Sequence, residues 1–242
     1  MTFPPPVEFT FLSVTFHPLY LGVALALLWL PRQWLRIGAL GAGRSRRRPQ
    51  DWSPNRDREP GDRSVRFGDE IGKLRNWVDI LRAFAGGAAV GGLFEGVAAF
   101  AAADPKPTKD TLQLLLVLKV VILLAGVFMQ MLRFEGRLTL FAPIFYLQGL
   151  AFGLLGLWAA LLAIIGVWAL NPVLPSAAIL LFVFAILELI LGFLLKVPHK
   201  ETTLAASLSA VPTLISIMTK RHLAQFTKKT KIIGPSSIPP KS

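Results

Sequence analysis

Four side chains in this sequence stand where an apolar setting makes a polar group consequential: Glu95, Lys119, Gln130 and Glu188, each within a long hydrophobic run. A lone charge at the centre of a bilayer costs about 2.5–3.5 kcal/mol on insertion scales, so each ionisable group needs a partner or a task. A carboxylate and an ammonium at one depth can pass a proton or hold an ion. They can equally form a buried pair that fixes the register of two helices.

Glu95 lies 8 residues before Ala103, and Lys119 lies 8 residues after Thr111. At about 1.5 Å per residue, both stand roughly 12 Å from the same edge of a helical hairpin. The expectation is therefore a Glu95–Lys119 pair that registers the hairpin, with an ion or proton pathway as the alternative. Gln130 continues the Lys119 face through Leu123 and Gly126 towards Arg133. Glu188 is offset from Lys119 by about 9 Å. It is expected to meet Gln130 or Gln148, or to sit as the neutral acid among apolar neighbours.

Other chemistry lacks its residues. The chain has no cysteine, and His17 is the only histidine in a hydrophobic run, which argues against thiolate metal sites, bis-histidine haem and zinc proteolysis. His17 is expected to be hydrogen-bonded in the outer half of its span. No Gly-rich loop followed by Lys-Ser/Thr, no nucleophile elbow and no His-Glu-x-x-His occurs. No cofactor or metal is expected, and the balance is against an enzyme.

The elements that must position these residues follow from composition. Of the 242 residues, 53% are hydrophobic, a membrane composition. Runs of roughly 20 apolar residues suffice to span. Five are read, Phe9 to Leu30, Ala83 to Ala103, Thr111 to Leu132, Phe145 to Leu170 and Leu174 to Leu195. The net charge of +12 is uneven: residues 32–82 hold 13 Lys/Arg against 7 Asp/Glu, and most of the remaining excess follows Lys196. Basic segments stay cytoplasmic, so the expectation is an all-α integral membrane protein of five transmembrane helices. Its N-terminus is outside and its C-terminus is cytoplasmic, in the plasma membrane, the inner membrane of a bacterium. Membrane topology accounts for the basicity without nucleic acid.

Amphipathic interfacial helices are expected at about 68–82 and 203–226. The first shows an apolar stripe of Ile71, Leu74, Val78 and Leu81; the second contains Pro212 and runs into a basic tail, which argues against a sixth span. Helix packing is assigned to Gly87, Gly91, Gly92 and Gly96 and to Gly149 and Gly153, all at small-xxx-small spacing. Pro143 is expected to separate an interfacial opening at 138–142 from the fourth span. Contacts with anionic headgroups or a partner fall to Arg44, Arg46, Arg47 and Arg48 and to Lys220, Arg221, Lys228 and Lys229.

The chain thus divides into an N-terminal tail and first span (1–31), a basic loop with amphipathic helix (32–82), a four-helix core (83–196) and a basic tail (197–242). The function expected is a non-enzymatic accessory or scaffold subunit, partnered with the bilayer and with other membrane subunits or its own copies. The alternative is a small ion- or proton-coupled transporter or channel using Glu95 and Lys119.

Overall fold

A computed structural model describes residues 8–31, 65, 67–93, 97–135, 137–220 and 223. Glu95, Gly96, Arg44, Arg46, Arg47, Arg48, Arg221, Lys228 and Lys229 lie outside these residues. The chain is mostly helical. Its helices are α1 (Pro18–Trp29), α2 (Phe67–Ile71), α3 (Leu74–Gly91), α4 (Lys109–Met131), α5 (Ile144–Leu170), α6 (Ala177–Leu194) and α7 (His199–Thr219). Short strands β1 (Phe9–Phe11), β2 (Val14–Phe16) and β3 (Phe100–Ala102) form one antiparallel sheet, and β4 (Leu132–Glu135) pairs with β5 (Arg137–Leu140). Four helical segments are long and apolar enough to cross a membrane: Lys109–Met131, Ile144–Val173, Ala177–Leu194 and His199–Thr219.

Several boundaries differ from the sequence expectation, each for a local reason. The first apolar run is not one helix. Its opening is the β1–β2 hairpin, turned at Leu12 and Ser13, both with positive φ as a tight hairpin turn requires; α1 begins only at Pro18, whose fixed φ suits a first helical position.

The second run merges with the supposed interfacial helix and ends early. Gly92 takes the left-handed conformation at φ +75°, and the amides of Gly92 and Leu93 both reach the Ala88 carbonyl, at 2.9 and 3.1 Å. This closes the last turn. Residues 100–102 then add to the sheet beside β2, so Gly92 caps a helix and lines no packing face. Within the opening expected at 138–142, residues 138–140 belong to β5, and α5 begins directly after Pro143.

The fourth run is folded back on itself. Gly156 sits inside α5 at φ 77°, ψ 177°, a region essentially open to glycine alone. The rings of Phe145 and Trp168 stack with centroids 5.8 Å apart, whereas a straight helix would hold these residues about 34 Å apart. Two aromatic side chains bridge only part of that distance, so the arms on either side of Gly156 form a hairpin.

The helix expected at about 203–226 begins earlier. Helix α7 runs from His199 to Thr219 and packs antiparallel along α6: Gly192 abuts Thr202, and the Thr213 hydroxyl donates to the Ala178 carbonyl at 2.8 Å. Half of its most apolar stretch is buried inside the bundle, and it is long and apolar enough to cross a membrane. By contrast α4 and α6 lie close to their expected bounds, because Thr108 and Ser176 cap them, accepting from the amides of Thr111 and Ile179.

Glycines set the central seam. Gly149 faces Ile80 and Ala83, and Gly153 faces Phe84, Gly87 and Ala88; α3 therefore runs parallel to the first arm of α5, backbone against backbone. Gly86 faces Ala24 and Leu28, placing α1 antiparallel to α3. The hydrophobic core also draws on Leu123 and Val127 of α4, Leu180 and Phe184 of α6 and Leu204 and Leu208 of α7.

Candidate functional site

Among the described residues, the polar centres inside this bundle include three built around ionisable groups, and the first closes the end of α1. A helix terminates with carbonyls that lack intrahelical partners, and Pro31 follows α1 closely. The Arg82 guanidinium of α3 donates to the Leu30 carbonyl through Nη1, to Gln130 Oε1 at 2.6 Å through Nη2 and to Asp79 Oδ1 at 2.9 Å through Nε. Gln130 Nε2 donates to the carbonyls of Leu28 (3.1 Å) and Leu30 (3.0 Å). The Tyr146 hydroxyl donates to the Leu28 carbonyl at 3.1 Å, and its ring lies 5.5 Å from the guanidinium carbon. Gly126 makes room for that hydroxyl; a Cβ there would meet Tyr146 and Leu28. Every donor is aimed at backbone or at another member, an arrangement that joins α1, α3, α4 and α5.

Of these residues Gln130 is on the polar stripe the sequence picks out, whereas Asp79 and Arg82 fall in the helix expected to lie at the interface on its Ile71, Leu74, Val78 and Leu81 stripe. That helix is inverted. Asp79 and Arg82 are 2% and 6% exposed, whereas Leu74 and Leu81 are 78% and 63% exposed. The sequence held a sign of this: Asn76, Asp79, Arg82/Ala83, Gly86/Gly87 and Val90 recur at three and four residues, so the polar stripe is collinear with the small-residue stripe that packs.

The second centre surrounds Lys119. Its ammonium donates to the Gly91 carbonyl at 2.8 Å, in the last turn of α3, and pairs with Glu201 Oε1 at 3.1 Å, in the first turn of α7. A cation among the free carbonyls of a helix C-terminus is favourably placed. Glu201 is a partner that depth-matching along the sequence could not reveal, since it lies 82 residues away, just ahead of the helix expected at 203–226. The exposed Lys196, His199 and Lys200 flank the same turn, so Lys119 sits at a charged end of the bundle rather than midway along it.

The third centre is Glu188 on α6. It is 0% exposed, and among the described residues neither carboxyl oxygen has a hydrogen-bond partner. The Ser209 hydroxyl faces it from α7 without closing a bond. Neither Gln130 nor Gln148 meets it: Gln130 is engaged at α1, and the buried Gln148 Nε2 is itself without a partner. Among the described residues no group of three or more His, Cys, Asp or Glu is arranged to hold a metal.

No family model matches this chain, and neither a curated protein nor a solved structure is detectably similar to it.

Proposed function

We propose that the protein is a multi-pass plasma-membrane protein acting as a non-enzymatic accessory or scaffold subunit of a membrane assembly. The observation that carries the membrane reading is the inverted α3: water would favour the opposite arrangement, with Leu74, Trp77 and Leu81 inside and Asp79 and Arg82 outside. Lipid favours polar residues that face the bundle and pair there. Exposed large side chains on α4 (Val117, Val121, Phe128), α5 (Leu157, Trp158, Ile165) and α6 (Phe182, Ile190) extend that apolar girdle.

Support for an architectural role comes from the use of Arg82, Gln130 and Tyr146. They are committed to the Leu28 and Leu30 carbonyls and to each other, and so hold helices in place. The residue 31 end of α1, the start of α3 and the Lys220 end of α7 adjoin the basic segments 32–64 and 220–242. With that end cytoplasmic, α4, α6 and α7 cross, α5 enters and leaves on one side, and the shorter α1 and the polar-striped α3 pack in the same bundle. The N-terminus is then outside. The lipid headgroups at the basic segments and further subunits or copies of the chain are the partners this reading calls for.

Photo-crosslinking in native membranes tests the role, with capture of a defined membrane partner or a second copy expected. Recovery of an unlinked monomer from every probe position on the exposed faces counts against it. Orientation is tested with single cysteines in the cysteine-free chain: Lys106→Cys should be labelled from outside and Lys220→Cys only after permeabilisation. A second reading, a small ion- or proton-coupled transporter or channel, is favoured by the unpartnered Glu188.

A further inference from the structure

The face of α7 that packs on α6 is made of Thr202, Ala206, Ser209 and Thr213, recurring at four, three and four residues, all buried. Two of its hydroxyls are occupied: Thr202 Oγ1 donates to the Pro198 carbonyl at 3.2 Å, and Thr213 Oγ1 to the Ala178 carbonyl. Between these positions Glu188 projects from α6 towards Ser209, wholly buried and unbonded at both oxygens.

Among the described residues no counter-charge stands nearby to explain it. Glu188 is the sole charged residue of α6, and α5 carries none, its only titratable group being Tyr146 at the α1 end. On α7 the charged and titratable groups are His199, Lys200 and Glu201 in the first turn, of which Glu201 is paired with Lys119, and Lys220 at the far end. A buried carboxylate with neither partner nor hydrogen bond is strongly unfavourable. A bound cation removes that cost.

We propose that the Glu188 carboxyl and the Ser209 hydroxyl form a binding site for a small monovalent cation, a proton or a sodium ion, within the α6–α7 seam. Carboxylate and hydroxyl oxygens are hard donors suited to either ion. The neighbouring Thr202 leads towards the charged α6–α7 turn, the nearest polar end from which an ion would arrive. This site depends on the burial of Glu188 and not on the scaffold role, so it can fail while partner capture succeeds.

The test uses full-length protein in detergent and in liposomes, treated with dicyclohexylcarbodiimide. The protonated carboxyl adds across the reagent's C=N bond, its proton passing to nitrogen, and the O-acylisourea rearranges to a stable N-acylurea with no leaving group. Labelling mapped to Glu188 by mass spectrometry should fall as pH rises, and a protonated-carboxyl infrared band lost in Glu188→Gln should bleach in parallel. If sodium is the ion, excess sodium at fixed pH should slow labelling roughly tenfold once it occupies about nine sites in ten, and Ser209→Ala should weaken that protection. Protection by pH alone assigns the proton. Should Glu188→Gln fail to fold, the wild-type labelling still reads out the site. If neither the labelling nor the infrared band responds to pH or sodium, the proposal is overturned.

Discussion

Replacing Gly153 by alanine isolates what holds α3 against α5. A Cβ at this position would lie 2.7 Å from the Ala88 amide nitrogen, 2.8 Å from the Gly87 carbonyl carbon and 2.9 Å from the Phe84 carbonyl oxygen. All three are backbone atoms, and none can swing aside. Ordinary contact begins at 3.4 Å, so the helices must part by about 0.7 Å, a gap that forfeits a quarter to a half of each contact's dispersion energy along the seam. Overpacking of this kind costs about 1–3 kcal/mol. With a rigid obstacle the upper end applies. Alanine's intrinsic helical advantage over glycine, about 1 kcal/mol, offsets part, leaving a net loss of about 2 kcal/mol.

The comparison is Gly22→Ala on α1, where a Cβ meets nothing within 4 Å and only the helical advantage operates. Equilibrium unfolding in mixed micelles should show Gly153→Ala less stable and Gly22→Ala unchanged or slightly more stable. A Gly153→Ala protein as stable as wild type would refute the close-approach argument.

Arg82→Met should lower folded yield more than Gln130→Leu, because it removes at once the donors to Leu30, Gln130 and the buried Asp79, whereas loss of the amide leaves the Leu28 and Leu30 carbonyls their Tyr146 and Arg82 donors and costs about 1–3 kcal/mol; unfolding titrations of the two variants check the order. Lys119→Met and Glu201→Gln should each destabilise by about 1–2 kcal/mol, with the double variant milder than their sum. Additive losses would mean that the two side chains do not act as a pair. In the otherwise cysteine-free chain, Phe145→Cys with Trp168→Cys should be bridged by a short bifunctional thiol reagent. A straight helix, holding the sites about 34 Å apart, would leave both thiols singly modified.

Where termini have local signals, the sequence is explicit. Helices α4 and α6 were legible from their apolar runs, and the Thr108 and Ser176 caps set where they begin. Gly87, Gly91, Gly149 and Gly153 were legible as small faces, though not that Gly87 and Gly91 face Gly153 itself. Gly92 and Gly156 look no different from these in the sequence, yet both take positive φ. Glycine permits close packing and left-handed backbone equally, so the residue type cannot say which use applies.

The sequence by itself determined the apolar runs, the basic segments beside them and the presence of a few polar groups requiring an explanation, since these follow from composition and from the cost of polar atoms in lipid. Only tertiary structure decided which groups meet. Lys119 finds Glu201 because the α6–α7 hairpin brings that turn back to the end of α3. Arg82 finds the Leu30 carbonyl 52 residues away because α1 ends beside it. Glu188 is left facing Ser209 because α7 folds along α6. Helical periodicity fixes the face a side chain shares with its own neighbours, but the helix opposite it is chosen by the competing fits of all the helices, a long-range property that no local window contains.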